Sequence, residues 1–341
     1  MPSSLQNTFQ PFLYSLGLWF SSTRHWLGLQ GDTELGIAVA VLTAVGLLVY
    51  ILHSRRSRQT FWRLSKLRGT RKSANHKALI IGVARAGDLD LPVLDAPHSD
   101  AEKVSQFLLE NGWDQDRIIK LVDTRNAPSY LRPTESNIKQ YLRKMIENAR
   151  VGDELFLYVA THGFQSFCMG GDEEDSKDEG IYSCDGGEII DNTLFDIAIK
   201  PLPKGCKMIV LFDTCHSGTG MDLPYRTERR GSDEGSLPSQ LPETLVKPNM
   251  RESNGKVVMW SSCFDDQQCW EIEVEDGEKT HRTGAFTHTF LQQYRSEAFQ
   301  SNPSHRNLHG LIWNKFRNQT MSHRVQLSSS LPLNVDERFS I

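Results

Sequence analysis

Covalent cross-links are the first thing this 341-residue chain lacks. Its six cysteines follow no regular spacing, which excludes the disulfide framework of a small secreted domain. No C-x-x-C pair exists, so zinc is a weak competitor for any of them. Charge of one sign is missing too. The net charge is −4, and bulk electrostatics give no reason to expect a nucleic-acid partner. There are no internal repeats and no EF-hand loop. What remains is the composition of an ordinary globular protein, 38% hydrophobic and 23% charged.

From residue 77 onward, apolar runs of strand length alternate with amphipathic stretches. Strands are predicted over 77–83, 118–122, 154–161, 207–213 and 256–262. Helices are predicted over 99–111, 134–148, 191–199, 284–295 and 308–318. Ser99, with Glu102 three residues on, reads as a capping box for the first helix. Such alternation predicts an α/β domain, 77–341, with a mainly parallel sheet covered by helices on both faces. The polar stretch 226–252, with many Gly, Pro and Ser, is its one long loop.

Two of the predicted strands end in chemistry. Lys207-Met208-Ile209-Val210-Leu211 leads into Phe212-Asp213-Thr214-Cys215-His216-Ser217-Gly218, and Leu155-Phe156-Leu157-Tyr158-Val159-Ala160 leads into Thr161-His162-Gly163. Ligands of open α/β sheets bind in crevices at the carboxyl ends of parallel strands. A lone cysteine is usually a small buried hydrophobe, and Cys168, Cys184, Cys206, Cys263 and Cys269 fit that reading or sit in loops. A lone histidine is likewise more often structural. The pair is stronger than either alone, because each follows a strand run and has glycine within three residues. Cys215 is then a candidate nucleophile and His162 its base, the arrangement of a cysteine peptidase. His216 adjoins the nucleophile, but successive residues point in different directions, so His162 is preferred.

These residues carry a family resemblance. His162-Gly163 and Asp213-Thr214-Cys215-His216-Ser217-Gly218 resemble the histidine and cysteine motifs of the metacaspases, caspase-fold cysteine peptidases of fungi, plants and protists. Gly171-Asp172-Glu173-Glu174-Asp175, Asp178-Glu179-Gly180-Ile181-Tyr182 and Ile190-Asp191 resemble the family's acidic segment. Thr219-Gly220-Met221-Asp222-Leu223-Pro224-Tyr225 resembles its continuation after the cysteine. The short linker after the cysteine strand is nearest to the fungal type I branch. The resemblance implies an oxyanion hole from the backbone N–H groups of Gly163 and Cys215. It implies an acidic S1 pocket for Arg or Lys at Asp100 and Asp213, and calcium ligands at Asp178, Glu179, Asp191 and Asn192. The family more often has paired aspartates where Glu179 and Asn192 stand. Its Ser-Gly before the histidine is here Ala160-Thr161, and Pro97 replaces a cysteine. A monomeric peptidase domain that cuts itself in the polar loop, after Arg226, Arg229, Arg230, Lys247 or Arg251, follows from the same preference. Two classes stay open: an active calcium-stimulated endopeptidase, or a caspase-fold scaffold with little or no proteolysis.

The N-terminal part differs. Leu35–Leu52 carries no charge over roughly 18 residues, about 27 Å as a helix, close to the hydrocarbon thickness of a bilayer. Arg24 is the fixed cation before it, while Arg55, Arg56, Arg58, Arg63 and Lys66 follow. That asymmetry predicts a single-pass membrane protein. Residues 1–34 would be non-cytosolic, 35–52 the transmembrane helix, 53–76 a basic linker, and the peptidase domain would face the cytosol.

Overall fold

In the computed structural model of the chain, the residues described are 75–167, 177–215, 217–218, 220–227, 253–276, 279–319, 321 and 324–341. The elements begin with β1 (His76–Gly82), α1 (Pro97–Glu110), β2 (Ile118–Val122), α2 (Glu135–Ile146) and β3 (Glu154–Ala160). Next come β4 (Gly163–Phe167), β5 (Lys177–Tyr182), β6 (Glu188–Ile190), the single turn α3 (Asp191–Leu194) and β7 (Lys207–Asp213). A wider, π-type turn over Phe195–Ile199 extends α3. The chain closes with β8 (Tyr225–Arg226), β9 (Lys256–Ser261), the hairpin β10 (Glu271–Asp276) and β11 (Lys279–Gly284), α4 (Ala285–Tyr294), α5 (Glu297–Ser301), α6 (His305–Asn318) and β12 (Gln326–Ser329).

The main sheet runs β2-β1-β3-β7-β9-β12-β8. Its first five strands are parallel, and β12 and β8 close the far edge antiparallel. Alternation along each strand splits the core in two. Ala78, Ile80, Phe156, Tyr158 and Trp260 pack under α1, α4 and α6, while Leu79, Ile81, Leu155, Leu157 and Val210 pack under α2 and α3. Both faces are thus buried, which is why these strands read as continuous apolar runs. Ala74–Ile341 forms one compact unit. The α/β architecture predicted above is the one observed.

Several local expectations are corrected. Ser99 does not cap α1: the helix starts at Pro97, a residue pre-set for a first turn, and the Ser99 hydroxyl donates to the Ala96 and Arg282 carbonyls. Lys177–Tyr182, in the acidic segment where no strand is predicted, is a strand held between β4 and β6. Tyr225–Arg226, the edge of the predicted polar loop, pairs with β12. An H-x-x-x-H spacing, expected to be absent, is present at His305 and His309 on α6, but both rings are buried beside the Trp260 ring, and burial pushes their pKa values down to about 3 and about 4. The membrane expectation is also corrected. No helix among the described residues is long and apolar enough to cross a membrane. The run Leu35–Leu52 that carried the expectation lies outside the described residues, so the single-pass, cytosol-facing placement has no structural support.

Candidate active site

The register of two neighbouring strands builds the site. β3 and β7 are parallel, with Ala160 opposite Asp213. His162 and Cys215 each lie two residues further on, so both leave the sheet at the same level. The two strand ends touch. A Cβ on Gly163 would collide with the Cys215 carbonyl oxygen, so only glycine lets the backbones come this close. The Thr161 hydroxyl donates to the Tyr182 carbonyl at 2.8 Å and fixes the turn that carries the histidine. His162, Gly163 and Cys215 then line one cleft of about 380 Å³ with Asp100, Asp213 and Trp270.

The sequence offered no group to orient the imidazole; the structure supplies a backbone one. His162 Nε2 lies 2.7 Å from the Pro92 carbonyl oxygen. A carbonyl can only accept, so Nε2 carries the proton, and Nδ1 of the neutral ring is left as the basic nitrogen. No sequence signal marks Pro92 for this, because its contribution is main-chain and it comes from a loop 70 residues upstream.

Asp100 and Asp213 meet at the base of the cleft. Asp100 is 1% exposed and Asp213 8%. A Cβ on Gly284 would overlap Asp213 Oδ2 and stand 3.2 Å from Asp100 Oδ2, so both carboxyl groups crowd one glycine. Asp100 accepts from Thr283 Oγ1 at 2.5 Å, from the Gly284 N–H at 2.6 Å and from Lys103 Nζ at 3.1 Å, tying α1 to the hairpin. Asp213 Oδ2 accepts from the Thr287 hydroxyl at 2.6 Å and its N–H at 3.2 Å. Burial pushes the Asp213 carboxyl up to about 7, against the Thr287 hydrogen bond and with Asp100 adding to the rise. Thr283, Gly284 and Thr287 went unnoticed in the sequence because they follow the cysteine strand by some seventy residues and only the fold returns them.

The second cluster gathers on the small sheet. Asp191, fully buried, accepts from its neighbour's N–H, Asn192, at 2.6 Å and from the Glu179 N–H at 3.1 Å. Asn192 Nδ2 donates to Asp178 Oδ1 at 3.3 Å, and Gln165 Nε2 donates to Glu179 Oε1 at 2.8 Å. All four expected ligands therefore stand together. Burial first, then the nearby Asp222 and Glu179 carboxyl groups, push the Asp191 carboxyl up to about 9, against the Asn192 and Glu179 N–H bonds that favour its charged form. Asp222 was read only as part of a motif after the cysteine. The fold brings it to Asp191, at a left-handed residue with φ of 52°. Among the described residues no group of three or more His, Cys, Asp or Glu side chains is arranged as a finished metal site. The donor set is nonetheless all oxygen and crowded with carboxyl groups, which suits a hard cation.

Of the expected processing residues, Arg226 belongs to β8, with Ser328 as its strand partner. Arg229, Arg230, Lys247 and Arg251 lie outside the described residues, as do His216 and Cys168. Cys184, Cys206 and Cys263 are buried, in line with the bland reading. Cys269 sits in the irregular segment between β9 and β10, the other placement expected for these cysteines, and its sulfur lies 3.5 Å from that of Cys215.

The family model described as metacaspase, peptidase C14 domain, matches residues 76–224. The chain is 30% identical to metacaspase-1 of Candida albicans over 314 residues, 78% of this chain and 67% of that protein. It is 31% identical to metacaspase-1 of Saccharomyces cerevisiae over 310 residues, 78% and 69% respectively. Metacaspase-1A of Neurospora crassa is 29% identical, and the chain covers 65% of its length. A crystal structure of a Geobacter sulfurreducens protein superposes with a TM-score of 0.54 at 20% identity, covering 77% of this chain and 97% of that one, a likeness of fold alone.

Proposed function

This chain belongs to the metacaspase family of cysteine peptidases, and from that premise we propose that it is an endopeptidase that cuts after arginine or lysine through a Cys215–His162 dyad. His162 Nδ1 takes the thiol proton, and the thiolate attacks the scissile carbonyl carbon. The N–H groups of Gly163 and Cys215 receive the oxyanion. The imidazolium, with its ring held at Nε2 by Pro92, protonates the leaving amine. Water then hydrolyses the thioester, with His162 again the base.

The observation that carries the specificity is the pair of buried carboxyl groups at the base of the cleft. A guanidinium or ammonium reaching Asp213 offsets the charge that burial disfavours, and draws its pKa down from about 7. Asp100, already bonded to Lys103, Thr283 and Gly284, anchors the wall and adds negative potential. A substrate carboxylate in the same pocket is repelled.

Calcium is the proposed activator. Asp178, Glu179, Asp191, Asn192 and Asp222 would hold it, and its charge supplies what the crowded carboxyl groups lack. β5 then carries the effect to the site, because Ile181 stands opposite Gly163. Self-cleavage after the basic residues between 226 and 251 belongs to the same proposal, since they offer the preferred P1 side chain.

The test is hydrolysis of paired reporter peptides with Arg, Lys or Asp at P1 by the full chain with calcium. Arg and Lys reporters are expected to turn over, Asp reporters not. Cys215→Ala and His162→Ala abolish turnover, while His216→Ala keeps most of it. Equal cleavage of Asp and Arg reporters, or full loss in His216→Ala with His162→Ala active, overturns the reading.

A further inference from the structure

Two thiols at the catalytic centre are more than the peptidase chemistry requires. Cys215 and Cys269 face each other with sulfurs 3.5 Å apart, inside the cleft that would take the substrate. Cys269 comes from the irregular segment that joins β9 to β10, not from a sheet strand. Closing the gap to a disulfide requires a movement of about 1.5 Å, small for a segment without ladder hydrogen bonds. The third nearby cysteine is placed differently. Cys263 is fully buried, and its thiol points at the Gln267 and Thr214 carbonyl oxygens, at 3.3 and 3.5 Å.

We propose that Cys269 is the resolving thiol of a reversible oxidation of Cys215, so that a hydroperoxide switches the peptidase off without destroying it. This rests on the reading of Cys215 as the reactive thiolate. The Cys215 thiolate attacks the peroxide O–O bond, becomes a sulfenic acid and releases the alcohol, or water from hydrogen peroxide. The Cys269 sulfur then attacks the sulfenic sulfur. An S–S bond forms, the S–O bond breaks, and the hydroxyl leaves as water with the Cys269 proton. Two thiols have lost two electrons, and one peroxide has been reduced. An external dithiol reverses the step by exchange.

The surroundings assign the order of events. The Cys269 thiol is held well above its ordinary pKa, first by its hydrogen bond to Cys215 and then by burial. Cys215 is therefore the sulfur that is ionised and oxidised first. Once it is a sulfenic acid, that hydrogen bond to a thiolate is gone, and with it the largest restraint on Cys269 as a nucleophile. Cys215 and Cys269 are both partly exposed in the lining of the cleft, so a small oxidant reaches the pair from solvent.

The experiment titrates the reduced full chain with hydrogen peroxide, blocks free thiols with iodoacetamide, and maps peptides without reduction. Turnover of an Arg reporter is followed in parallel before and after dithiothreitol. Wild type is expected to form a Cys215–Cys269 cross-link and to regain its activity with dithiothreitol. Cys269→Ser is expected to carry sulfinic acid at Cys215 instead, and to regain about tenfold less activity relative to its own reduced state. Should Cys269→Ser fold poorly, Cys269→Ala and the wild-type map decide the matter. Cys215 oxidised without a cross-link, a cross-link to Cys263, or equal recovery in both proteins overturns the inference. Failure of the peptidase reading is seen separately, as absent hydrolysis by the reduced enzyme, and leaves the peptide map to decide this one.

Discussion

Burial at Asp213 gives the pocket carboxyl a measurable signature. Its pKa rises from 3.8 to about 7, first through loss of solvent and then through Asp100. Between those values the native chain holds a proton that the unfolded chain has released. This contribution is therefore complete below about pH 4 and is lost as pH rises through about 7, on the order of 4 kcal/mol in all. Asn has the same shape, can accept from Thr287 and carries no charge. The melting temperature of Asp213→Asn relative to wild type should thus climb by several degrees between about pH 5 and about pH 8. Parallel curves would show that the carboxyl is not protonated in the native state. The same variant should lose about a hundredfold in kcat/KM for Arg reporters, because the substrate cation then lacks its buried partner. Residues of this kind were legible as types: a cysteine and a histidine after strand runs, and an aspartate two residues before the nucleophile. Pro92 was not legible, because a backbone carbonyl leaves no mark on the choice of side chain.

At the level of elements, the meeting of β3 and β7 is what makes a dyad out of two strand ends. Gly163 is the point of contact, and a Cβ there must push against the Cys215 backbone. Gly163→Ala should lower kcat about a hundredfold by displacing the reacting groups, since a shift near 1 Å suffices. The parallel sheet, as read by circular dichroism, should stay intact. Near-normal turnover would mean that the strand ends are more compliant than their packing implies. The small sheet makes a second prediction. Asp191 lies at the start of α3, with Glu179 in β5 and Asp222 beyond β7 pressing on it. Asp191→Asn removes the carboxyl that would ionise against calcium without removing bulk, and should flatten the rise in activity during a calcium titration about tenfold. An unchanged titration would assign the cluster to folding alone. The strand β5 was missed in the sequence because its Lys177-Asp178-Glu179 start has the polarity of a loop. Its register with β4 and β6 is what makes it a strand. The capping box at Ser99 failed for a similar reason, since Pro97 starts the helix two residues sooner.

For the molecule as a whole, self-processing tests whether one specificity serves both substrate and chain. Incubation of wild type with calcium should give new termini after Arg229, Arg230, Lys247 or Arg251, found by mass spectrometry and absent from Cys215→Ala. Arg226 should be cut least, because β8 holds its backbone against β12 and a strand-paired bond is a poor protease target. Identical fragments from Cys215→Ala would point to a contaminating protease. The alternation of apolar runs and amphipathic stretches determined by itself that this is an α/β protein with a doubly covered sheet, because burial on both faces leaves only apolar residues along a strand. The two glycine-flanked strand ends likewise determined where the nucleophile and base would be sought. Which groups surround them was decided by the tertiary structure. Pro92, Cys269, Gly284 and Thr287 reach His162, Cys215 and Asp213 only through long loops and a hairpin, and local sequence patterns carry no record of contacts made at that separation.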